Sequence, residues 1–485
     1  MSKHSHACDL TGPYSFCFGR VNASARRCKQ MGQNLERFAE RRQFGYLPET
    51  ESVSVTTHKQ GVGAFMDAGD IAWVLASTAM VVFMVPGLAL FYGGMVRSKN
   101  VGNMLLMNMA SVAIVPILWV LFTYSLGNNP NEGKTGFFGG ELIGNFDLAG
   151  LSGVTGEDLL FVAFLMTFAA ITPALISGAV ADRMKFSSWV VFTILWSIIV
   201  YTPVTYWVYT GWHTELNPHA LDFAGGTAIH INAGVAALVL ALVLGKRKGL
   251  GEEDMSPHNL SLLLIGTGVL WFGWFGFNAG SAGAADGIAI QALINTFVAG
   301  SAGIVGWIGI EWLKDGKTTV LGTASGLVAG LVAITPAAGY VTSGSSIIFG
   351  LVAGVICYFA VKLKEALGYD DSLDVVGIHG VGGIVGGVLL GLLSSLEVND
   401  GGAAGGGDLL LSQLIAMGSV ILYSGAATLV IALLLKATMG LRVSEDEEFA
   451  GLDISIHGEA VYASDHGSLI DLTESANEAK SETVS

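Results

Sequence analysis

Long apolar runs alternate with short polar connections from about residue 70 to residue 440. Eleven of these runs reach the roughly 20 residues that a helix needs to cross a bilayer core. Segments of about ten residues with strict alternation, which are typical of membrane β-barrels, do not occur. The pattern predicts an all-α polytopic membrane protein with eleven transmembrane helices in the lipid bilayer. The runs comprise residues 70–93, 101–127, 158–181, 188–211, 222–244, 259–277, 287–313, 318–341, 345–363, 374–394 and 409–439.

Basic residues follow the odd-numbered runs and are nearly absent after the even-numbered ones. Arg97 and Lys99 follow the first run, Arg183 follows the third and residues 246–248 follow the fifth, whereas Lys134 alone follows an even-numbered run. Cytoplasmic connections attract Lys and Arg. We therefore expect a multi-pass plasma-membrane protein whose core begins outside the cell and ends in the cytoplasm.

The two ends of the chain differ from this apolar core. Residues 1–65 hold nine Lys or Arg and five Asp or Glu, without the apolar run of a secretory signal. We interpret 1–65 as a disordered leader or a mis-called start before Met66, with an exported tail as the alternative. Residues 66–441 form the predicted transmembrane domain. Residues 442–485 are strongly acidic and are interpreted as a cytoplasmic regulatory tail that is disordered toward its end.

The amino-acid composition supports a membrane protein and gives no indication of a metal centre. Only 13% of residues are charged, against about 25% in soluble domains, and 66 are glycine. The four cysteines have neither CxxC nor zinc spacing, so we expect no metal and no cofactor. Neither an enzyme nor a nucleic-acid partner is expected. The cysteines are Cys8, Cys17, Cys28 and Cys357.

Five spans followed by five more indicate an inverted repeat, because an odd number of crossings turns the second half over. Span five opens with Asp222 and reaches His230, and span ten opens with Asp374 and reaches His379. Repeats of this kind place their substrate site near the midplane, where the halves meet. The long eleventh run is expected to lie as a tilted helix on the periphery.

His230 and His379 are the leading candidates for chemistry. A histidine within a span is costly to bury and is usually functional. A neutral imidazole offers one donor and one acceptor, so a touching pair suits a small neutral solute, or a cation that first gives up its proton. The alternative is two separate structural histidines that bond to backbone carbonyls.

Asp222 and Asp374 fit the role of helix N-caps, since Asp favours the positive end of a helix. The sequence places both at the outer side of the membrane. Asp222 is also a candidate for raising the negative potential at an outer mouth. Asp374 is interpreted as structural.

Aromatic residues gather toward the outer ends of spans three, four and six. Phe168, Tyr209, Trp212 and Phe277 belong to this group, and Ser281 follows the last of them. One interpretation is an ordinary interfacial aromatic belt. The other is a cation–π cage with a hydroxyl, which would select a compact cation such as ammonium.

Four motifs in order resemble the Amt branch of the Amt/Mep/Rh ammonium transporters, and the similarity covers about 67–465. The motifs are PGLALFYGGMVRSKNV at 86–101, DFAGGTAIHIN at 222–232, GWFGFNAGS at 273–281 and GIHG at 377–380. The resemblance implies ammonium or ammonia as substrate. It also implies a homotrimer with one pore per subunit.

The resemblance assigns roles to individual residues. Ser281 and Phe168 match the outer recruitment site, and Phe168 and Phe277 match the ring pair that occludes the pore. His230 and His379 match the twin histidines below. Asp222 matches the family's aspartate near the recruitment site, which has a structural or electrostatic role and is not a direct ligand.

One departure concerns the cage. Tyr209 stands where the family usually has Trp, and Tyr206-Trp207 replaces its usual His-Trp pair. Tyr is the weaker cation partner, so we expect either a weaker cage or a contribution from Trp212.

The acidic tail also matches the family, at Arg442, Ser444, Glu448, Gly451 and Asp453. The resemblance implies that this region receives a PII-family signalling protein at the cytoplasmic face. An ammonium sensor is one alternative, although about 45 residues is too short for a fused signalling domain. A further alternative is a Rh-like channel for ammonia and CO2, which the tail disfavours. Another is a sodium-coupled symporter, which the twin histidines disfavour.

Overall fold

The computed structural model describes residues 66–129 and 142–462, and this part of the chain is almost entirely helical. The predicted leader 1–65, Lys134 and residues 463–485 lie outside the described residues. The helices, numbered α1 to α12, are Ala68–Met95, Ser98–Asn128, Glu157–Val180, Phe186–Glu215, Gly226–Leu244, Leu260–Gly280, Gly287–Asp315, Val320–Ile334, Ser343–Leu367, Val376–Leu393, Gly407–Thr438 and the short Glu445–Ala450.

Ten of the helices α1–α11 are long and apolar enough to cross a membrane, and α8 is a shorter apolar helix. The predicted class, an all-α polytopic membrane protein, is confirmed. The predicted eighth run extended to residue 341, but the helix ends at Ile334 and turns occupy 335–340. Pro336 contributes to the early end, because it lacks the amide donor that the next helical hydrogen bond needs. Thr335 before it keeps helical torsion angles. The freed Pro336 carbonyl accepts the Phe223 N–H at 3.0 Å.

The two halves meet where α5 crosses α10. A Cβ at Gly234 would stand only 2.3 Å from the Gly380 Cα, so the two backbones touch at this point. Only glycine permits such an approach. In lipid, where the hydrophobic effect does not drive helices together, this close van der Waals packing stabilises their contact. The crossing brings the histidine of each helix to the same depth.

The inverted repeat is visible in the way α5 and α10 begin. Each opens with a π-helical turn that contains its histidine, at Gly226–Ile231 and Val376–Val381. Such turns are rare and frequently occur at functional sites.

The two helices start at opposite ends of the bundle. Asp370 lies just before α10 and accepts hydrogen bonds from the Arg247 side chain. Arg247 lies three residues after the end of α5. Asp374 therefore lies at the end that carries the basic connections, here called the basic end, and Asp222 lies at the other end. The expectation that both aspartates share the outer side was wrong, because α10 begins where the basic connection after α9 ends.

Helix α11 is the longest, with 32 residues. It packs along α5 and α10 and thus spans both halves from outside. The chain then continues across the basic end as a strap that includes α12.

Candidate functional site

The structure brings His230 and His379 into contact. Their Nδ1 atoms are 3.2 Å apart and their ring centroids 5.2 Å apart, with the rings inclined by 23°. At this distance one Nδ1 donates a hydrogen and the other accepts it. The rings are 2% and 4% exposed, so neither is solvated from bulk water. The contact disfavours the alternative of two histidines bonded separately to backbone carbonyls.

A narrow, mostly apolar cavity lies beside the imidazoles. His230 Nε2 is buried and has no hydrogen-bond partner among the described residues. The Trp274 indole stacks on the His230 ring at 5.5 Å and is fixed by its own Nε1–H, which donates to Thr335 Oγ1 at 2.9 Å. Sequence reasoning missed most of this wall. The lining residues are Met84, Leu88, Phe91, Ile171, Leu175, Ile229, His230, Leu270, Trp274, Phe277, Val328 and His379.

Two stacked phenyl rings lie at the cavity, where Phe277 belongs to the wall and Phe168 packs on it. Phe168 and Phe277 are 4.1 Å apart between centroids and nearly parallel, with an angle of 8° between the ring planes. Phe277 lies 6.3 Å from the His230 ring, so the stack sits directly beside the imidazole pair. One turn further along α6, Ser281 Oγ donates to the Phe277 carbonyl at 2.8 Å. The Ser281 oxygen keeps its lone pairs for another donor.

Asp222 fixes the start of α5 at the same end. Its Oδ1 accepts the N–H groups of Gly225 and Gly226, and its Oδ2 accepts those of Thr227 and Ala228. All four bonds lie between 2.6 and 3.0 Å. The carboxylate thus satisfies the orphan donors of the turn that carries His230. Gly225 occupies the N-cap position, so Asp222 binds these donors from three residues before the cap.

Asp374 does not cap α10. Its carboxylate pairs with Lys364, and its backbone has a positive φ of 65°. The capping bond comes from Asp371, whose Oδ2 accepts the Val376 N–H at 2.7 Å. The expected cap at Asp374 was therefore wrong.

The spacing of the repeat could have identified Asp371. Asp371 stands eight residues before His379, as Asp222 stands eight before His230. Burial raises the pKa of Asp371 to about 6, and the neighbouring Asp374 adds to the rise while Lys364 opposes it.

Tyr209 and Trp212 lie at the end of α4 that is far from the basic end, but their surroundings differ. The Tyr209 hydroxyl is buried without a hydrogen-bond partner among the described residues. Trp212 packs edge-on against His213, with ring centroids 4.3 Å apart, and lies 6.1 Å from Trp207. Trp207 is anchored by its Nε1–H, which donates to the Leu142 carbonyl.

The Ammonium Transporter Family profile matches residues 72–462. The chain belongs to the ammonium transporter family. It is 50% identical over 408 residues to an ammonium transporter of Aquifex aeolicus, covering 82% of this chain and 94% of that protein. It is 47% identical over 436 residues to one of Mycobacterium tuberculosis, covering 82% and 90%. The crystal structure of Saccharomyces cerevisiae Mep2 superposes with a TM-score of 0.72 at 35% identity, covering 79% of this chain and 88% of that one.

This ammonium transporter family member carries its tail against the basic end. Arg442 bonds Glu448 through two nitrogens, at 2.7 and 3.1 Å, and also donates to the Leu244 carbonyl. Glu448 is 1% exposed and accepts the Lys248 N–H as well. Ser444 caps α12 through a reciprocal capping box with Glu447. The start of the tail is therefore fastened to the connection after α5.

The next part of the tail is fastened to the start of α2. Asp453 accepts the N–H groups of Gly102 and Asn103 at 2.9 and 2.8 Å, which caps that helix from a distance of some 350 residues in sequence. Gly451 has a φ of 99° and its Cα faces the Lys99 side chain, where a Cβ would lie 2.6 Å from the Lys99 Cβ. Burial raises the pKa of Asp453, while the two backbone bonds oppose the rise.

His457 completes the docking. Its Nε2 lies 3.0 Å from Asn103 Oδ1, and its ring meets Phe186 edge-on at 5.0 Å. Burial lowers the pKa of His457, although Asp453 and Glu459 act in the opposite direction. The sequence motif indicated a regulatory tail but not this set of partners.

Proposed function

We propose that this chain carries ammonium nitrogen across the membrane by separating ammonia from its proton. Ammonium binds outside at Ser281, with Phe168, Tyr209 and Trp212 as the aromatic surround. It loses a proton before the Phe168–Phe277 stack, and ammonia continues past the imidazoles. The single observation that carries the proposal is the imidazole contact at 3.2 Å in the wall of an apolar cavity beneath stacked phenyl rings.

Energetics favour deprotonation over passage of the ion. Moving an unpaired cation into a low-dielectric site costs at least several kcal/mol. The described cavity wall holds no carboxylate to offset that cost. Neutral ammonia needs only one donor or acceptor, and each imidazole offers one.

The proposed orientation follows from the basic connections. Arg97, Arg183, Arg247 and Arg442 gather at one end of the bundle, and Ser281 lies at the other. The positive-inside rule then puts the basic end and the tail in the cytoplasm and the amino end outside. Within this arrangement residues 66–441 form the transport domain and 442–485 the regulatory tail.

Uptake by purified protein in liposomes tests the proposed path. His230→Ala or His379→Ala should lower ammonium uptake or admit potassium, because either change removes one partner of the imidazole contact. His258→Gln is the matched control, since His258 lies at the basic end and bonds the Val96 carbonyl and Tyr462. Unchanged uptake and unchanged selectivity in both cavity variants would remove the imidazoles from the mechanism.

The proposal extends to the oligomeric state of the protein and to a partner protein. We infer a homotrimer and a PII-family partner at the basic end, on the resemblance and on the tail lying across that end. Native mass spectrometry should give three copies, and a monomer would contradict the trimer. Binding of a PII-family protein encoded by the same genome should disappear when residues 442–485 are removed. Binding that ignores the truncation would contradict a role for the tail.

A further inference from the structure

Leu221, the residue before Asp222, is held by one buried side chain of α11. The Leu221 N–H donates to Gln413 Oε1 at 2.7 Å, and Gln413 Nε2 donates to the Leu221 carbonyl at 2.8 Å. Gln413 is 1% exposed and Leu221 is 3% exposed. Residues 216–225, all of them described, form neither helix nor strand. The Gln413 amide therefore satisfies both backbone groups of a buried residue that no regular secondary structure pairs.

Two further residues of α11 fasten the chain that leads to Leu221. Ser412 Oγ donates to the Pro218 carbonyl at 2.6 Å. Ser419 Oγ donates its single hydrogen to the carbonyl three residues earlier at 2.7 Å and lies 2.9 Å from His213 Nε2. The hydrogen between Ser419 and His213 therefore belongs to the imidazole. These bonds hold the connection between α4 and α5 against α11.

The position of Leu221 bears on the turn that carries His230. Asp222 follows directly and accepts the four N–H groups of residues 225–228. The next N–H after Asp222 donates to the Pro336 carbonyl at 3.0 Å. The carboxylate thus stands between two anchored peptides, and the π-helical turn whose donors it accepts contains His230.

The second half of the repeat holds the equivalent carbonyl by another means. Asp370 precedes Asp371 as Leu221 precedes Asp222, and its carbonyl accepts Arg183 Nη2 at 2.6 Å. Arg183 is fully buried and belongs to the connection after α3. The corresponding connection after α8 comprises residues 335–342 and holds no Lys or Arg. Helix α11, which lies outside the five-plus-five repeat, supplies an amide where the first half has no guanidinium.

We propose that Gln413 is a positioning residue for the imidazole pair, which acts by fixing the peptide in front of Asp222 and through it the turn of His230. Gln413 is not among the described residues that line the cavity, so it acts through these intermediates. Without the amide, a buried N–H and a buried carbonyl lose their partners, which favours a rearrangement that exposes them to water. The inference rests on the proposed function, because its effect is read as ammonium uptake.

Replacing Gln413 by Met keeps the length of the side chain and removes both bonds. Isotope uptake of ammonium by proteoliposomes, per folded transporter, should fall roughly fivefold or more, since small misplacements of a positioned group lower rates steeply. Thr428→Val is the matched control. Thr428 is a fully buried residue about four turns further along α11, and its hydroxyl accepts the Trp196 Nε1–H at 3.0 Å. The control also loses a buried bond of α11 but should keep uptake within about twofold of wild type.

Gln413→Glu gives a readout that lower stability alone does not give. A protonated carboxyl reproduces the amide, because its O–H can donate to the Leu221 carbonyl while its other oxygen accepts the N–H. An ionised carboxylate can only accept and would turn a lone pair toward that carbonyl. Burial and the neighbouring charge of Asp222 favour the protonated form at the lower pH. Uptake by Gln413→Glu relative to wild type at the same pH should therefore fall as the pH rises from 5.5 to 8, whereas the ratio for Gln413→Met should stay constant.

Size-exclusion chromatography at both pH values confirms that the compared preparations are folded, and the Glu variant keeps the test open if the Met variant fails to fold. Wild-type uptake by Gln413→Met would overturn the positioning role. An equal loss in Thr428→Val would overturn it as well, because α11 would then act only through general stability. A pH-independent ratio for Gln413→Glu would do the same. Absence of uptake by the wild-type protein would instead refute the proposed function on which the inference rests.

Discussion

Replacing Asp222 by Asn exchanges one carboxylate oxygen for an amide nitrogen at the start of α5, where the first helical turn contains His230. The Asn oxygen can still accept two N–H groups, as Oδ1 does from Gly225 and Gly226. The new NH2 group, however, faces the N–H groups of Thr227 and Ala228, which the carboxylate now accepts at 2.9 and 3.0 Å. Two hydrogen bonds are lost and two donors oppose each other.

The expected loss follows from those two bonds. A hydrogen bond to a charged group contributes about 1.5–3 kcal/mol, so two contribute roughly 3–6 kcal/mol. Asp222 is only half-buried, and water can replace part of the loss. A net destabilisation of about 2–4 kcal/mol remains, which corresponds to a fall in Tm of about 2–5 °C for a chain of this size. Ammonium uptake should fall with it, because the loosened turn carries His230.

Asp371→Asn is the control that the repeat supplies. Only Oδ2 of Asp371 has a bond in the structure, and its Oδ1 is buried without a partner among the described residues. An amide NH2 in place of that Oδ1 breaks no bond. Since burial raises the pKa of Asp371 to about 6, the carboxylate is ionised at neutral pH at a cost in folding free energy. A neutral Asn should therefore leave Tm unchanged or raise it by a few degrees.

Melting of both variants by intrinsic fluorescence, with isotope uptake by the same preparations, checks the reasoning. Equal melting temperatures for the two variants would refute the counting of bonds at Asp222. Normal melting of Asp222→Asn together with abolished uptake would refute it in another way, since Asp222 would then act on the cation itself.

Three further changes have defined outcomes. Gly234→Ala should abolish stable protein, seen as loss of the main size-exclusion peak, because its Cβ would stand 2.3 Å from the facing backbone of α10. Lowering the pH from 7.5 to 5.5 should expose the tail to proteolysis. Burial lowers the pKa of His457 in the docked tail, so protons favour the undocked tail once the pH falls below about 6.5, the ordinary pKa of histidine. Asp453, whose pKa is raised, should instead favour docking as the pH falls further. His457→Gln should make the rate of proteolysis less dependent on pH. Glu448→Gln should speed cleavage at neutral pH severalfold, because it leaves Arg442 without its buried carboxylate, and an unchanged rate would contradict this.

The sequence by itself determined the membrane class and most of the spans. A bilayer requires long apolar helices whatever the fold, so local hydropathy suffices to find them. It also identified His230 and His379, because a histidine in an apolar span stands out against its neighbours. Their symmetry within the repeat came from counting spans.

Tertiary structure decided which groups bond to one another. His230 and His379 are 149 residues apart, and their contact depends on Gly234 meeting the backbone of α10. Asp371, rather than Asp374, caps α10 because the chain turns at Asp374 with a positive φ. Hydropathy is a local property of one segment, whereas hydrogen-bond partners come from segments far apart. The docked tail therefore emerges only when the helices are packed.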